Sequence, residues 1–203
     1  MLMKTKQRAR WTLIGLLLVF MLPMLLAWYV YLHPSLFTGR TNHGRLLNPP
    51  LELAELPFSA MRGEEPFDKS RLKGKWTLLY IDDFPCQTTC QRNLYKMRQV
   101  RTALGKERAR VNRLLLLTAR NSVKYMKNQA LLDMIAQDYN GTLLAMVDLQ
   151  ELNTFLKLES SATSNGFYII DPLGNMILRY PEAVIPNHLF KDLQHLLKVS
   201  QIG

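Results

Sequence analysis

WTLLYIDDFPCQTTC, residues 76–90, joins an apolar run to a pair of cysteines near the middle of this 203-residue chain. The first six residues are apolar or β-forming, a pattern typical of a buried strand. Thr88 or the threonine after it can begin a helix, and apolar residues at helical spacing continue as far as Gly105, which can end it. Cys86 and Cys90 are therefore predicted at the junction between a strand and the following helix.

The rest of the C-terminal half alternates strands and helices. In chain order we predict a strand over 111–118, a helix over 122–139, a short strand over 143–147, two strands over 167–170 and 176–180, and a helix from Pro186 or Asn187 onwards. The turn over 171–175 joins the last two strands into a hairpin. Parallel strands joined by helices and followed by a hairpin predict an α/β protein whose mixed sheet is flanked by helices, as in a thioredoxin-like fold.

Basic residues are distributed unevenly. Lys and Arg number 26 against 16 Asp and Glu, a net charge of +10, and no acid precedes Glu52. At 48% hydrophobic and 21% charged, the composition is neither that of a disordered chain nor that of collagen. Two cysteines are too few for a disulfide scaffold or a four-thiolate zinc site.

A long apolar segment follows four basic residues at the N-terminus. The 21 residues 11–31 contain no Asp, Glu, Lys or Arg and would form about 31 Å of helix, enough to cross a bilayer. Pro23 would remove one backbone hydrogen bond, and aromatic residues end the segment. A cleaved signal peptide is the alternative, but the segment is long for one and lacks a clear cleavage site. Because the basic residues come first, the rest of the chain is expected outside the cytoplasm.

These observations divide the chain into four parts. We predict a cytoplasmic basic tail over 1–10, a transmembrane anchor over 11–32, an extended stalk over 33–71 and a thioredoxin-like domain over 72–203. The stalk is inferred from five prolines and three glycines, too many for a long helix. The expected location is the bacterial inner (cytoplasmic) membrane, with a single pass and the C-terminal domain in the periplasm. A mitochondrial inner-membrane protein would show the same pattern.

Cys86 and Cys90 are the residues best suited to chemistry. If a helix began near Cys86, their spacing would place both sulfurs on one helical face, where they could chelate one ion. They could instead form a disulfide if the first turn were distorted. Free N–H groups at the helix start would lower the pKa of a thiol, whereas Asp82 and Asp83 would raise it. A structural disulfide, a redox pair and a thiolate site for Cu(I) all fit, although so short a disulfide loop would stabilise the fold little.

The segment 91–127 is strongly basic, with eleven Lys and Arg and one acid, Glu107. Nucleic acid is not expected as a partner, since a domain outside the cytoplasm should rarely meet it. We expect either a solvated helix surface or attraction to anionic lipid headgroups or an acidic partner. Arg92 and Lys96 lie close to Cys90 in sequence and could steer a negatively charged partner towards the thiols.

At these residues the sequence resembles the Sco/SenC family, membrane-anchored thioredoxin-fold proteins that help to assemble the copper centre of cytochrome c oxidase. The resemblance covers about residues 72–199. It rests on the single anchor, on the three residues between Cys86 and Cys90, and on Asp171-Pro172-Leu173-Gly174 late in the chain. It implies that Cys86 and Cys90 are the site residues, and that a cytochrome oxidase subunit or a copper carrier is the partner.

The chain also departs from the family pattern. Sco proteins bind copper with both cysteines and a histidine about eight residues before the late Asp, and Thr163 stands at that position here. The family's proline after the first cysteine is absent, and Pro85 precedes Cys86 instead. The resemblance therefore carries over Cys86 and Cys90 as ligands of Cu(I) and leaves the third ligand unknown. The four histidines are expected on the surface of the last helix (His188, His195) or in the stalk (His33, His43), where they could bind metal only by folding back.

Three hypotheses follow. The leading one is a membrane-anchored thiol–disulfide protein of oxidase assembly, an oxidoreductase in which Cys86 attacks or accepts and Cys90 resolves a mixed disulfide. The second is a Cu(I) chaperone that uses both thiolates with a ligand from a partner. The third is a non-catalytic assembly scaffold whose disulfide only holds the loop.

Overall fold

A computed structural model describes residues 2–33, 42–58, 67–119, 129–157, 164–200 and 202. The chain forms two units, Met1–Thr41 and Asn42–Gly203. In the first unit, helix α1 (Leu2–Leu32) contains a stretch, Arg10–Leu32, that is long and apolar enough to cross a membrane. Pro23 lies inside this helix without ending it. This apolar helix fits the predicted single-pass anchor.

The second unit is built on a six-stranded mixed sheet. Its strands are β1 (Arg45–Glu52), β2 (Trp76–Asp83), β3 (Val111–Ala119), β4 (Thr142–Asp148), β5 (Gly166–Ile170) and β6 (Asn175–Tyr180). They lie in the order β1-β6-β5-β2-β3-β4, in which β2, β3 and β4 are parallel and the other neighbours are antiparallel. In the middle of the sheet, Tyr80 of β2 lies between Leu115 of β3 and Phe167 of β5. A partner strand on each side therefore fixes the carboxyl end of β2.

Helices cover both faces of this sheet. They are α2 (Thr88–Ala103), α3 (Gln129–Asp138), α4 (Leu149–Phe155) and α5 (Pro186–Val199). The inward residues of α2, α3 and α5 share one apolar core with Tyr80 and Phe167. On the other face, α4 and the short 3-10 helices Leu53–Glu55 and Lys69–Leu72 enclose a second core. The predicted mixed sheet flanked by helices is confirmed.

The elements predicted from periodicity are present. Strands β2 to β6 each lie within two residues of their predicted bounds, and α2 and α5 begin at Thr88 and Pro186. The hairpin turn is held by Asp171, whose Oδ1 accepts hydrogen bonds from Leu173 N (2.9 Å) and Asn175 N (2.8 Å). The helix predicted over 122–139 is observed as Gln129–Asp138, and residues 120–128 lie outside the described part of the chain.

The predicted stalk over 33–71 differs from the structure. The second unit begins at Asn42 rather than at residue 72, and Arg45–Glu52 forms the edge strand β1 against β6. Pro49 and Pro50 lie within this strand, and an edge strand tolerates them because one side of it has no ladder to complete. Prolines that argue against a helix therefore did not exclude a strand. Residues 34–41 and 59–66 of the predicted stalk lie outside the described part of the chain.

Helix α4 was also not predicted. It has only seven residues, too few for helical periodicity to stand out. Asp148 caps it, because its side chain accepts a hydrogen bond from Gln150 N (2.7 Å). Leu152 anchors it to the second core.

Candidate functional site

Cys86 and Cys90 form a disulfide next to the carboxyl end of β2, and their Cα atoms are 5.2 Å apart. Cys86 lies outside the helix, because the N-cap is Gln87, which has an extended backbone (φ −93°, ψ −168°). Cys90 is the third residue of α2, which begins at Thr88. Of the arrangements expected from the sequence, the structure contains the disulfide. It needs no distorted helical turn, since only one of the two cysteines is helical.

The two cysteines differ in exposure. Cys90 is 1% exposed and belongs to the apolar core beneath α2, whereas Cys86 is half-buried and packs against the edge of that core. A hydrogen bond from Phe84 N to Thr118 O (2.8 Å) ties the loop before Cys86 to β3. A thiol arriving from solution can therefore reach Cys86 more readily than Cys90.

Two carboxylates end strand β2 beside the disulfide loop. Asp82 accepts hydrogen bonds from the Tyr80 hydroxyl at Oδ2 (2.6 Å) and from Asp83 N at Oδ1 (2.8 Å). Asp83 Oδ1 accepts from Thr118 Oγ1 (2.6 Å). The amide Nδ2 of Asn165 lies 3.3 Å from Asp82 Oδ1 and 3.5 Å from Asp83 Oδ2. Side chains from β2, from β3 and from the residue before β5 thus hold both carboxylates in place.

A buried polar network lies behind Asp82, centred on the Tyr80 hydroxyl. This hydroxyl is 3.0 Å from Glu182 Oε1, and it accepts a hydrogen bond from Asn93 Nδ2 (2.8 Å). Asn93 Nδ2 is also 3.3 Å from Glu182 Oε1, and Lys96 Nζ donates to the Glu182 carbonyl (3.4 Å). A hydroxyl carries one proton and cannot donate fully to two carboxylates. The network therefore favours an additional proton on one of the two carboxyl groups.

The environment of Asp82 stabilises its protonated form relative to a carboxyl group in water. Burial raises the pKa of the Asp82 carboxyl, hydrogen bonds from Tyr80 and from Asp83 N oppose the rise, and the charges of Glu182 and Asp83 reinforce it. Burial and the hydrogen bond to Asp82 raise the pKa of Tyr80 far above its usual value, so that its hydroxyl keeps its proton. Asp82 is the member of this network suited to holding and releasing a proton.

A cavity of about 350 Å³ opens between the two carboxylates and the start of α2. Its walls are the loop 82–85, residues 87–89 and Cys90. Asp82 and Cys90 therefore border the same space, in which a thiol proton could pass from one to the other. The arrangement can break and reform a disulfide, with one half-buried sulfur and the other bordering the same cavity as a proton-binding group.

Two cations flank the first turns of α2. Arg92 Nη2 donates to Thr89 Oγ1 (3.2 Å), and Lys96 Nζ lies 5.9 Å from the centre of the Phe167 ring. Burial, and then the charge of Arg92, lower the pKa of Lys96. Their positions keep open the expectation that they steer a negatively charged partner towards Cys90.

A copper ion does not fit the site in this oxidised form. The disulfide offers no thiolate, and no cluster of three His, Cys, Asp or Glu side chains suited to a metal occurs among the described residues. Thr163, at the family's histidine position, lies outside them. His43 does fold back onto the domain, but its ring stacks on His188 (4.3 Å between centroids) and its Nδ1 contacts Asp192 Oδ1 (2.9 Å). The third ligand is therefore not identified.

Sequence reasoning found the cysteines and both aspartates but not the network behind them. Asn93 could have been found, because a polar residue stands there on the inward face of α2 between Cys90 and Met97. Nothing in the sequence links Tyr80 to Glu182, which is 102 positions away. Such a pairing depends on the turn between β6 and α5.

The fold and the site define a thioredoxin-like domain with a disulfide at the start of its first helix. Residues 76–200 match the family described as "Transmembrane-like, thioredoxin-like, C-terminal domain", and the chain belongs to this family. It is 27% identical over 151 residues to a Stutzerimonas stutzeri protein whose name suggests copper binding, covering 72% of this chain and 70% of that protein.

Solved structures agree with this fold. The apo Sco1 protein of Thermus thermophilus superposes with a TM-score of 0.56 at 17% identity, covering 78% of this chain and 99% of its own. The copper-bound ScoI of Arabidopsis thaliana superposes with a TM-score of 0.53 at 13% identity, covering 71% and 98%. These similarities confirm the resemblance to Sco proteins at the level of the fold.

Proposed function

We propose that this protein exchanges its Cys86–Cys90 disulfide with thiols of a partner at the outer face of a membrane. The observation that carries the proposal is the asymmetry of the pair, a half-buried cysteine in a loop joined to a buried one in a helix. A disulfide that closes so short a loop adds little stability, so stabilisation of the fold is a weak reason for its presence. A half-buried and a fully buried sulfur suit sequential attack and release.

The exchange balances in two steps. A partner thiolate attacks Sγ of Cys86, the bond to Cys90 Sγ breaks, and Cys90 leaves as a thiolate while a mixed disulfide forms. A second partner thiolate then attacks the partner's own sulfur in that mixed disulfide, and Cys86 leaves as a thiolate. Two electrons pass from the partner to the pair, and the partner gains a disulfide. The reverse sequence reduces a disulfide of the partner.

Asp82 is the proton carrier in this scheme. Cys90 leaves as a thiolate in an apolar environment, where a charge is costly until a proton reaches it. The Asp82 carboxyl borders the same cavity and has a raised pKa, so it can protonate Cys90 and recover a proton from solvent. In the reverse direction the carboxylate accepts the proton of Cys90 before that thiol attacks.

The partner we propose is a cytochrome oxidase subunit or a copper carrier. Cysteines bind copper only as thiolates, so a protein that controls their oxidation controls the loading of the metal. The proposal is supported by the Sco-like fold and by the relative whose name suggests copper binding. The apolar helix α1 would anchor the protein in a bacterial inner membrane with the domain in the periplasm.

Partner trapping tests this proposal in the full chain. A Cys90→Ser variant should accumulate a mixed disulfide through Cys86, whereas Cys86→Ser, the matched control, should trap nothing. The trapped protein is identified by mass spectrometry after non-reducing separation. If neither variant traps a partner, and the variant with both serines still supports oxidase maturation, the exchange role is wrong and a scaffold with a structural disulfide remains.

Copper transfer is the second candidate, favoured by the copper-binding name of the relative. Here Cu(I) is cargo, held by the reduced thiolates of Cys86 and Cys90 with a ligand lent by the partner. Titration of the reduced full chain with Cu(I) against a calibrated chelator tests it, with Cys86→Ser as the control. One-to-one binding that the variant loses would favour the chaperone; no binding in competition with the chelator would leave exchange as the function.

A further inference from the structure

The helical layer formed by α2, α5 and the 3-10 helix Gly105–Arg110 has a basic outer surface. Its exposed cations are Arg92, Arg98, Lys106, Arg108, Lys191 and Lys198. Helix α2 contains no acid at all, and the single acid of α5, Asp192, is 2% exposed. The acid of the 3-10 helix, Glu107, accepts a hydrogen bond from Arg110 Nη1 (2.8 Å). This surface, which we call the α2–α5 face, therefore presents positive charge with little compensation.

Hydrogen bonds join the 3-10 helix Gly105–Arg110 to the end of α5. Arg110 donates from Nη1 to the Leu197 carbonyl (3.0 Å) and from Nη2 to the Ser200 carbonyl (2.9 Å), which ties the 3-10 helix to the end of α5. A groove between them is lined by Lys191 and Lys198 on the α5 side. The cations thus lie on one surface whose shape is set by packing.

The opposite face of the sheet has a different character. A groove beside β1 and α4 there is lined by three glutamates, Glu52, Glu55 and Glu151, and by one lysine, Lys157. The domain consequently has a basic side and a side with an acidic groove. Near an anionic surface such a domain is oriented with its basic side inwards.

The chain enters the domain next to α5. The backbone N–H groups of His43 and Gly44 donate to the carboxylate of Asp192 on α5, at 2.9 Å and 3.0 Å. Ten residues, 33–42, separate His43 from the last residue of α1, Leu32. Fully extended, the eleven residue steps from Leu32 to His43 span at most about 40 Å. A membrane that holds α1 therefore lies within about 40 Å of His43, which contacts α5.

We propose that the α2–α5 face docks on anionic phospholipid headgroups of the membrane in which α1 is anchored. This inference rests on the membrane anchor of the proposed function. Its occupant is a lipid surface because the short connection keeps such a surface near the cations at all times, which raises the effective concentration of headgroups. Cys90 lies in the first turn of α2, so docking holds the disulfide at a fixed height, facing partners within the same membrane.

Lysine labelling of the full chain in nanodiscs tests the docking. The chain is reconstituted in phosphatidylcholine alone or in phosphatidylcholine with phosphatidylglycerol, and an amine-reactive reagent is quantified at each lysine by mass spectrometry. We expect Lys106, Lys191 and Lys198 to be labelled roughly fivefold more slowly in the anionic discs. Lys157, on the opposite side, should be labelled equally in both. High salt should abolish the protection, because the attraction is screened.

Two double variants, each of which removes two positive charges, distinguish the effect of this face from the effect of net charge. Arg98→Gln combined with Arg108→Gln should remove most of the protection at the three lysines. Arg71→Gln combined with Lys157→Gln removes the same charge from the other side of the sheet and should preserve it. If both double variants lost protection of the three lysines to the same extent, the assignment of docking to this face would be wrong.

The remaining outcomes distinguish docking from anchoring. Extraction of the chain from liposomes by alkaline carbonate would overturn the anchor and the docking with it. A chain that stays in the bilayer but is labelled equally in both discs would overturn docking alone. If labelling were equally slow in both discs, the lysines would be covered by a protein contact instead.

Discussion

Burial raises the pKa of the Asp82 carboxyl above its usual value. The folded state therefore binds the carboxyl proton more tightly than the unfolded state, and stability falls as the pH rises from about 3.9, the ordinary value, through the higher folded pKa. Asp82→Asn has no charge to bury, but its single amide oxygen can replace only one of the two carboxylate oxygens that accept hydrogen bonds. We expect the stability of the variant relative to the natural chain to rise as the pH increases from about 3.9 towards 7.

Urea unfolding of the full chain in detergent at several pH values measures this difference. It should stop changing with pH below about 3.9, where the carboxyl is protonated in both the folded and the unfolded state. The same variant should slow thiol exchange, since Asn cannot pass a proton to Cys90. A stability difference that does not change with pH would show that burial of the Asp82 charge is not its source.

Asp192 presents the opposite case. Burial raises its pKa, but hydrogen bonds from the Tyr180 hydroxyl (2.6 Å), from the ring and backbone of His43 and from Gly44 N outweigh burial and lower the pKa below its usual value. Its contribution to stability is therefore complete above about pH 3.9 and is lost as the pH falls through the lower folded pKa. Near neutral pH the carboxylate joins the residues just before β1 to β6 and α5.

Replacing Asp192 with Asn should destabilise the fold by about 2–3 kcal/mol near neutral pH, because a single amide oxygen cannot accept from all of these donors. Amide exchange at His43 and Gly44 should accelerate more than exchange in α2. Lys191→Gln, an exposed change on the same helix, is the control and should alter stability by no more than about 0.5 kcal/mol. Equal effects of the two substitutions would refute the role given to Asp192.

At the scale of elements, β1 is the part of the domain whose importance the sequence concealed. It pairs with β6, and the 3-10 turn that follows it buries Leu53 and Leu56, 2% and 0% exposed, in the second core. A chain shortened to 72–203, the domain predicted from sequence, lacks this cover. Loss of two buried leucines should cost roughly 3–6 kcal/mol, in addition to the lost strand pairing.

Comparison of two truncated chains checks this expectation. The chain Asn42–Gly203 should unfold in one cooperative transition, whereas 72–203 should unfold at much lower urea concentration or aggregate through the newly exposed edge of β6. Similar unfolding midpoints would mean that β1 covers the sheet without stabilising it.

The elements that could be predicted are those whose residues repeat a local pattern. The apolar run of β2, the spacing of Leu94 and Met97 in α2 and the turn at Asp171 each specify structure from neighbouring residues alone. β1 escaped prediction because its prolines mask a strand whose stability comes from β6, about 130 positions later. The role of Asp192 escaped for the same reason, since two of its donors, His43 and Gly44, lie 149 and 148 positions earlier in the chain. Local patterns carry no record of such pairings.

The candidate site divides in the same way. Cys86, Cys90, Asp82 and Asp83 are adjacent in sequence, so their proximity was predictable. The disulfide could not be distinguished in advance from a metal-chelating pair, because the choice depends on whether Cys86 lies inside the helix. The N-cap at Gln87 decides this, and Gln is an unusual residue for that position.

At the scale of the whole molecule, anchor and domain have separable roles under the proposed function. The chemistry belongs to the disulfide in Asn42–Gly203, whereas the apolar helix would fix where that chemistry takes place. A soluble chain that retains the domain should therefore react with a small dithiol such as dithiothreitol at the same rate as the full chain. It should nevertheless support oxidase maturation poorly, because it loses the effective concentration, of the order of millimolar, that a short tether provides towards membrane partners.

Two measurements on the same pair of chains test this separation. Disulfide reduction is followed by thiol labelling in purified protein, and maturation is followed by oxidase activity in cells that express either chain at equal level in the same compartment. Equal reduction with impaired maturation is the expected result. Full maturation by the soluble chain would show that the partner is reached by diffusion, so that neither α1 nor the α2–α5 face is needed to bring the disulfide to it.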